Sequence, residues 1–380
     1  MRRIIVQLKN RSYPIIIGNH LIGQLGRLLK PLKLGSKILI VSNSRIKKRF
    51  SHFRPLISSL KKSGFQVYGH LLSHGNESDK STLQLDRLWK KMAQIPLDRS
   101  STVLAFGGGV VGDTAGFAAS TYMRGISLVQ VPTTLLAQVD SAVGGKTAVN
   151  LSSAKNIVGT FYQPKIVISD VEALKKLARD NFGRLEFKNS FMEVIKYGVI
   201  QDPALFGLLE RKVKSFFSSL EKGKLGKKEE SFLEAVVWRS ACVKARVVSA
   251  DEREVTGKRI ILNYGHTFAH ALEGASKYRL PHGQAVGIGM ILAGELGVRM
   301  GVFSRENQRR QTQLIRAIGL SLRYNYPSSQ LLSFMKRDKK GVSGKLKFVL
   351  PLQIGRVNVF DRIPERLIRE VMNQNKGKSL

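Results

Sequence analysis

The chain has 380 residues, of which 43% are hydrophobic, so it can form one or two domains with hydrophobic cores. No apolar run reaches membrane-spanning length, and the first apolar run ends at Gln7, too early for a signal peptide. One cysteine, Cys242, cannot form an internal disulfide, so a cytoplasmic location is expected. Lys and Arg number 63 against 27 Asp and Glu, which gives a net charge of +36 and fits an anionic substrate. The basic residues are scattered, and no zinc-finger, RNA-recognition or basic-zipper pattern accompanies them. Specific nucleic-acid binding is therefore not expected.

Short β-branched runs alternate with helix-like segments in the first half of the chain. Strands are predicted over residues 37–42, 65–68, 102–106 and 126–131, and helices over 45–64 and 83–93. Apolar strands that alternate with helices are typical of a parallel sheet covered on both faces. We therefore predict an α/β fold with a Rossmann-like parallel-sheet domain over residues 1–180.

Long helical patterns dominate the second half. They cover residues 191–200, 203–217, 231–250, 264–276 and 283–300, and a small hairpin is predicted from the runs 346–350 and 355–359. Residues 181–380 are therefore predicted to form a mainly α-helical C-terminal domain.

A glycine-rich turn follows the strand at 102–106 and opens a helix. Gly107, Gly109 and Gly112 have the spacing of a dinucleotide-binding turn, in which glycines let the backbone approach a pyrophosphate at a helix N-terminus. The acid expected after the next strand is missing, and Asp113 would repel phosphate unless it faced a ribose or nicotinamide. A tight strand-to-helix turn without a ligand is the alternative interpretation.

A second glycine-rich segment, residues 140–147, ends in Gly-Gly-Lys-Thr. A phosphate-binding P-loop requires glycine where Ser141 stands, so a nucleotide triphosphatase is disfavoured. The segment still places Lys146 on a bend, close in sequence to Lys155 and Asn156, which suits the binding of an anion.

Histidines cluster in the second half. His266 and His270 are spaced i, i+4 and share one helix face, His282 follows before another helix, and Glu193 lies on a separate helix. Imidazoles and a carboxylate suit Zn²⁺, although a hydrogen-bonded core histidine is the usual alternative. Spacing alone does not decide between His266 and His270 as ligands.

Charged residues precede the histidine helix. Lys244, Arg259 and the acidic and basic run 251–254 are typical of a solvated helix face. Their position beside the histidines makes substrate binding the alternative.

Taken together, these stretches resemble the 3-dehydroquinate synthase family of sugar-phosphate cyclases. The matching segments, in family order, are 107–113, 120–125, 131–137, 139–147, 155–156, 161–164, 193–198, 251–254, 263–273, 282–283 and 338–340. They span most of the chain, and their combination is far more specific than any single motif.

The resemblance implies NAD in the first domain, a divalent metal in the second (usually Zn²⁺, with Co²⁺ possible) and an anionic sugar-phosphate substrate between them. That substrate would be 3-deoxy-D-arabino-heptulosonate 7-phosphate, converted to 3-dehydroquinate and phosphate in the shikimate pathway of aromatic amino acid biosynthesis. The route would be transient oxidation by NAD, phosphate elimination, re-reduction and an intramolecular aldol step. A homodimer with no membrane association is also implied.

The resemblance also assigns roles residue by residue. The metal ligands would be Glu193, His266 and His282. The NAD contacts would be Gly75, Asn76, Glu77, Ser78, Asp79, Lys80, Gly109, Val110, Val111, Gly112, Asp113, Thr133, Thr134, Lys146 and Lys155. The catalytic and substrate-binding set would be Arg124, Asp140, Lys146, Asn156, Lys196, Lys244, Glu254, Arg259, Asn263, His270, which would neighbour the substrate phosphate, and one of Lys339 and Lys340.

The chain departs from the family pattern at a few positions. Ser190 and Asn76 replace glycines, Gln284 replaces a glutamate, and residues are added near 178–189 and 255–258. Three other functions are carried as alternatives: another sugar-phosphate cyclase, a metal-dependent alcohol dehydrogenase of related architecture, and a basic nucleic-acid-binding protein.

Overall fold

A computed structural model describes residues 1–49, 53–151, 154–178, 180–338, 346–378 and 380. The chain forms two compact units. The first comprises Met1–Asp180 and Gly226–Arg253, and the second comprises Asn181–Leu225 and Glu254–Leu380. The sequence-based division assigned all of 181–380 to one domain, and the structure differs in placing the returning segment 226–253 with the first unit.

The strands form one large sheet and two hairpins. The strands are β1 (Arg2–Val6), β2 (Tyr13–Gly18), β3 (Lys37–Asn43), β4 (Gln66–Leu72), β5 (Thr102–Gly107), β6 (Ser127–Pro132), β7 (Lys146–Leu151), β8 (Ala154–Phe161), β9 (Ile166–Asp170), β10 (Phe348–Gln353) and β11 (Arg356–Phe360). The seven-stranded sheet has the order β1-β2-β9-β6-β5-β3-β4, and the hairpins are β7-β8 and β10-β11.

The helices complete the two units. They are α1 (Leu25–Leu29), α2 (Ser44–Arg49), α3 (Phe53–Lys62), α4 (Thr82–Gln94), α5 (Gly109–Thr121), α6 (Val171–Leu177), α7 (Asn181–Ile200), α8 (Pro203–Glu221), α9 (Lys227–Ala250), α10 (His266–Ala275), α11 (His282–Arg299), α12 (Arg305–Arg316), α13 (Ser328–Asp338) and α14 (Glu365–Asn375). No helix within the described residues is long and apolar enough to cross a membrane.

The first unit is an α/β layer structure around a parallel sheet. Every pairing in the large sheet is parallel except that of β1 with β2. β3, β5 and β9 are almost wholly buried, as expected when helices cover both faces. The carboxyl end of β5 leads directly into α5, and open parallel sheets bind ligands at this edge.

Helix α9 explains why residues 226–253 join the first unit. It packs against β1, β2 and α6, so its apolar side covers that part of the sheet. Phe232, Leu233 and Val236 on this helix are buried. Sequence order alone suggested that a helix lying between α8 and α10 would pack with them, but the apolar surface of the sheet provides its partner instead.

The second unit is mainly helical. α11 lies at its centre, in contact with α7, α10, α12, α14 and β10. Thirteen residues of α11 are buried, so it is apolar nearly all round, as expected for a central helix. The fold class predicted from the sequence is confirmed: a parallel-sheet α/β region precedes a mainly helical one.

The predicted elements agree with the structure where apolar runs were strong. The four predicted strands correspond to β3, β4, β5 and β6, and the five predicted helical patterns to α7, α8, α9, α10 and α11. The predicted helix 45–64 covers α2 and α3, with residues 50–52 outside the described part. The sequence prediction missed β1, β2, β7, β8 and β9, of which β8 is largely exposed and carries no strong apolar alternation.

Candidate functional site

Three predicted metal ligands come together in the second unit. Glu193 Oε1 lies 3.4 Å from His266 Nε2 and 3.4 Å from His282 Nε2. One ligand atom from each of the three residues lies within 4.8 Å of the others. Glu193 is only 1% exposed, whereas both histidines keep partial access to solvent. The cluster therefore has one buried wall and one open side.

Local structure accounts for this placement. Glu193 lies in the buried middle of α7, and His266 and His282 are the first residues of α10 and α11. Gly265, just before α10, has φ +78° and would place a Cβ 2.9 Å from the backbone nitrogen of Met290 on α11. Glycine is thus required for α10 to begin at His266 while its start packs against α11.

Hydrogen bonds fix the orientation of both imidazoles. His266 Nδ1 donates to the carbonyl of Tyr264 at 3.1 Å, and His282 Nδ1 donates to Glu273 Oε1 at 3.2 Å. Because each Nδ1 carries a proton toward an oxygen, each Nε2 is left to face Glu193. Carbonyl and carboxylate partners of this kind are typical of metal-binding histidines.

The electrostatics are those of a tightly packed charged group. Burial alone would raise the pKa of Glu193, but the charges of Lys196 and His266 hold it well below its usual range. Burial and the nearby Lys196 charge lower the pKa of His266. Burial also works to lower the pKa of His282, but its contacts with Glu193 and Glu273 outweigh that and raise the pKa to about 10.

The arrangement fits a divalent metal. The buried Glu193 carboxylate directs Oε1 toward both histidines and pairs Oε2 with Lys196. Zn²⁺ with bonds of about 2.1 Å separates neighbouring tetrahedral ligands by roughly 3.4 Å. Both Glu193–histidine separations have this value. Three protein ligands leave the fourth tetrahedral position on the open side of the cluster, as in catalytic zinc sites.

Two further predicted residues flank this group. Lys196, one turn after Glu193, is buried and forms an ion pair with its carboxylate. His270 is exposed on α10 with its ring 5.6 Å from that of His266, but it is not part of the ligand group found among the described residues. The geometry therefore favours His266 over His270 as a ligand, the choice that spacing alone left open.

The glycine turn of the first unit lies at the carboxyl end of the sheet. Gly108 caps α5, and the first bond within the helix runs from the N–H of Gly112 to the carbonyl of Gly108 at 3.0 Å. The N–H groups of the first turn therefore point out of the helix without an intrahelical acceptor. Thr133 and Ser141 border this turn, and their buried hydroxyls have no hydrogen-bond partner among the described residues. Free donors and unpartnered hydroxyls suit a polar ligand such as a pyrophosphate.

A buried ion pair links this helix to the loop before α4. Lys80 Nζ lies 2.6 Å from Asp113 Oδ2, contacts Asn156 Oδ1 and reaches Glu77 Oε1 at 3.9 Å. Burial raises the pKa of Asp113 to about 6, against the opposing charge of Lys80. The Asp113 carboxylate is thus paired with the Lys80 ammonium, which offsets the repulsion expected between Asp113 and a phosphate.

The loop of residues 75–80 is built by its own side chains. Asp79 is buried and accepts a hydrogen bond from the backbone N–H of His74 at 3.1 Å, and it also accepts one from Gly75. Asn76 caps the following turn by accepting from the N–H of Ser78 at 3.0 Å. Asn76, which stands where the family has glycine, therefore has a structural role in shaping the loop.

The other predicted residues of the first unit lie on several different elements. Asp140 and Lys244 form an ion pair, so Lys244 is buried rather than on a solvated face. Lys146 begins β7 and is exposed, as are Lys155 and Arg124. A P-loop lysine is followed by a helix, so the strand that begins at Lys146 is a further reason against a triphosphatase. The remaining predicted NAD contacts Val110, Val111, Gly109 and Thr134 lie at the start of α5 or directly after β6.

The predicted residues of the second unit that precede α10 form a charged turn. Arg259 is 2% exposed and lies 3.3 Å from Glu254, so it too departs from the expected solvated face. Asn263 is exposed at the end of the same turn. Lys339 and Lys340 lie outside the described residues.

Left-handed backbone conformations occur at several predicted substrate-binding residues. Arg124, Asn156 and Glu254 have φ values of 67°, 56° and 59°. Non-glycine residues adopt this conformation at a cost, and such strain is concentrated at functional sites. These three positions are therefore held by their surroundings rather than by local preference.

Sequence reasoning missed two residues that orient the histidines. Glu273 and Tyr264 received no role, yet they contact the Nδ1 atoms of His282 and His266. Glu273 lies seven residues after His266, on the same face of α10. That spacing was the available signal for Glu273, whereas the backbone carbonyl of Tyr264 has none in the sequence.

Comparison with known proteins finds one family over most of the chain. Family models described as 3-dehydroquinate synthase N-terminal and 3-dehydroquinate synthase C-terminal match residues 70–184 and 190–341. The chain is 42% identical to the 3-dehydroquinate synthase of Rippkaea orientalis over 378 residues, which cover 98% of each chain.

Solved structures give the same picture. The chain is similar to 2-epi-5-epi-valiolone synthase from Streptomyces hygroscopicus subsp. jinggangensis with NAD⁺ and Zn²⁺ bound, with a TM-score of 0.83, 25% identity and 97% of each chain covered. It is also similar to 2-deoxy-scyllo-inosose synthase complexed with carbaglucose-6-phosphate, NAD⁺ and Co²⁺, with a TM-score of 0.80, 25% identity and coverage of 98% of this chain and 100% of that one.

Proposed function

The chain belongs to the 3-dehydroquinate synthase family, and we propose that it converts 3-deoxy-D-arabino-heptulosonate 7-phosphate to 3-dehydroquinate and phosphate. The observation that carries this proposal is the buried Glu193 carboxylate facing the Nε2 atoms of His266 and His282. The identity of 42% over nearly the whole chain is with a protein of that activity. The enzyme would act in aromatic amino acid biosynthesis.

The cofactors would be NAD and a divalent metal. Glu193, His266 and His282 would hold the metal, with Zn²⁺ as the first choice and Co²⁺ as the second, since two nitrogens and an oxygen suit either ion. The N-terminus of α5 and its neighbouring hydroxyls would hold the NAD pyrophosphate. When bound, NAD supplies a hydride acceptor that is regenerated within a turnover, and the metal supplies polarisation of a substrate hydroxyl.

The chain's own residues would bind and orient the substrate. Lys196, held against Glu193 with its aliphatic stem buried, offers a donor beside the metal position. Arg259 is positioned by Glu254, and Lys244 by Asp140, so each cation keeps a fixed direction before substrate arrives. Preorganised cations that need not rearrange are the main way in which a site stabilises developing negative charge. Exposed His270 would lie next to the phosphate that leaves.

Assembly and location complete the proposal. The turn at residues 122–124 exposes Arg124 in a left-handed conformation, and the family resemblance places this arginine in a homodimer. A closed twofold dimer is also the commonest assembly. Cytoplasmic location remains a prediction from the single cysteine, Cys242, which cannot form an internal disulfide.

A substrate panel tests the proposed activity. The purified chain, loaded with Zn²⁺ and given NAD⁺, would be incubated separately with 3-deoxy-D-arabino-heptulosonate 7-phosphate, with sedoheptulose 7-phosphate and with glucose 6-phosphate, while free phosphate is measured. Release from the first substrate alone is expected. Preferential release from either of the other two would assign the chain to a different cyclase, since its structural relatives at 25% identity make other products.

Dimer formation has its own test. Arg124→Ala and Lys196→Ala chains, each inactive alone, would be mixed and assayed. Recovery of part of the activity is expected if Arg124 of one chain completes the site of another. No recovery, with a dimer present by light scattering, would remove Arg124 from the neighbouring site.

A further inference from the structure

The proposed ligand His266 is attached to a buried polar network that connects the segment before α10 to α11 and α12. Tyr264, two residues before it, is fully buried, and its hydroxyl donates to Gln311 Oε1 on α12 at 2.8 Å. The amide of Gln311 in turn donates to the carbonyl of Met290 on α11 at 2.9 Å. We propose that Tyr264 and Gln311 are positioning residues that fix His266 for metal binding. This inference rests on the proposed metal site.

Tyr264 is held at its carbonyl and at its hydroxyl, which also lies 3.2 Å from the carbonyl of Met290. The carbonyl of Tyr264 accepts the hydrogen bond from His266 Nδ1, and the side chain of the same residue is held by Gln311. A residue tied at both its carbonyl and its hydroxyl cannot shift without breaking one of the two bonds. The direction of the His266 ring therefore depends on an interaction at the other end of the tyrosine.

The network also connects the helices that carry the two histidine ligands. Gln311 contacts the carbonyl of Met290, and a Cβ on Gly289, the residue before it, would lie 2.1 Å from the carbonyl oxygen of Gly265. The segment 264–266 is thus packed directly on α11, the helix that begins with His282. The network fixes the start of α10 against α11 about two turns after His282, and α11 carries that position along its length to His282.

The two glutamine side chains of the network are buried and hydrogen-bonded. Gln311 is fully buried and Gln308, one turn earlier, is 5% exposed, with its amide donating to the carbonyl of Ile291 at 3.0 Å. Buried amides without partners are costly, so a network in which they are satisfied holds a single arrangement. The amides of Gln308 and Gln311 therefore hold α12 in one position against α11.

Two variants and a matched control separate positioning from general stability. Tyr264→Phe removes only the hydroxyl, and Gln311→Met removes the amide with little change in volume. Tyr324→Phe is the control, because Tyr324 is also buried in the second unit and its hydroxyl donates to the carbonyl of Met372 at 2.7 Å. Neither residue of that hydrogen bond is a proposed metal ligand. All three variants should lower the thermal unfolding temperature.

The deciding measurement is metal affinity in the full chain, from competition between Co²⁺ and a chromogenic chelator, together with the visible absorption of bound Co²⁺. Loss of an outer contact to a metal-binding histidine weakens affinity by about 10–100-fold. We expect Tyr264→Phe and Gln311→Met each to weaken Co²⁺ binding by about tenfold and to alter the Co²⁺ spectrum. The double variant should be no weaker than the worse single one, because the two residues act as one unit.

The outcomes distinguish this inference from the proposed function. Wild-type affinity and spectrum in both single variants would overturn the positioning role while leaving the metal site intact. An equal loss in Tyr324→Phe would also overturn it, since general destabilisation would then explain the effect. Absence of Co²⁺ binding in the wild-type chain would instead overturn the proposed metal site.

Discussion

The metal ligand group of the second unit and the glycine turn of the first are built in opposite ways. The ligand group is made of side chains: Glu193 is buried on α7, and His266 and His282 open two helices. The glycine turn is made of backbone: Gly108 caps α5, and the donors that face a ligand are N–H groups of the first helical turn. The two proposed sites thus depend on side-chain identity in one unit and on backbone conformation in the other.

This difference determines which substitutions should matter. A side-chain site fails when one ligand is removed, whereas a backbone site tolerates many side chains but not added bulk. In the ligand group each histidine is also hydrogen-bonded to a neighbour that orients it. Around the glycine turn the predicted Lys146 and Lys155 are exposed, whereas Lys80 is buried in an ion pair with Asp113.

Removal of a ligand is the largest expected effect. His282→Ala deletes one of three donors, and we expect metal affinity to fall by at least about 100-fold, because even outer contacts cost up to that much. Elemental analysis after dialysis measures the metal content. His270→Ala is the matched control, since that histidine lies on the same helix as His266 outside the ligand group. Metal loss in His270→Ala with retention in His282→Ala would exchange their roles.

Added bulk at the glycine turn should have an intermediate effect. A Cβ at Gly108 would lie 2.9 Å from Thr134 Cγ2, although its φ of −78° suits alanine. Overpacking of this kind costs about 1–3 kcal/mol, so we expect Gly108→Ala to weaken NAD⁺ binding by about tenfold in calorimetric titration. Gly23→Ala, where no atom lies within 4 Å of the added Cβ, is the control. Equal affinities for both variants and the wild type would mean that the turn does not approach the cofactor.

Proton release on metal binding is the smallest expected effect, and its sign is set by His282. Contacts with Glu193 and Glu273 raise the pKa of His282 to about 10, so at pH 7.5 the metal-free chain carries a proton there that the metal must displace. Metal affinity should therefore rise with pH, and calorimetry in buffers of different ionisation enthalpy should give about one proton released per metal. Glu273→Gln should release fewer. Affinity that is independent of pH from 6 to 9 would contradict this account.

The contrast between the two sites also explains what the sequence could reveal. The parallel sheet and the long helices were predictable because apolar runs such as residues 37–42 and 283–300 have clear periods. The strands of the β7-β8 hairpin were not, since β8 is mostly exposed and has little apolar pattern. Helix α9 was predicted as a helix but assigned to the wrong unit, because periodicity shows that a face is apolar and not which surface covers it.

Among the site residues, those that act through a distinctive side chain, such as histidine in a metal site, were the easiest to predict. Histidine spacing indicated a metal site but left His266 and His270 as alternatives; the family resemblance favoured His266, and the tertiary geometry groups it with Glu193 and His282. The burial of Lys244 and Arg259 could not be predicted, since each depends on a carboxylate partner brought to it by the fold. The positioning role of Tyr264 and Gln311 could not be predicted either, because their contact joins residues 47 positions apart in the sequence.

The measurement that tests the central claim most directly is the ratio of phosphate released to NADH accumulated. The chain, loaded with Zn²⁺, would be given NAD⁺ at a concentration well below that of 3-deoxy-D-arabino-heptulosonate 7-phosphate, and both products would be followed in one cuvette. Because the proposed reaction returns the hydride within each turnover, phosphate should greatly exceed both the NAD⁺ supplied and the NADH formed. NADH that builds up in a one-to-one ratio with product would contradict the account and assign the chain to the metal-dependent dehydrogenases.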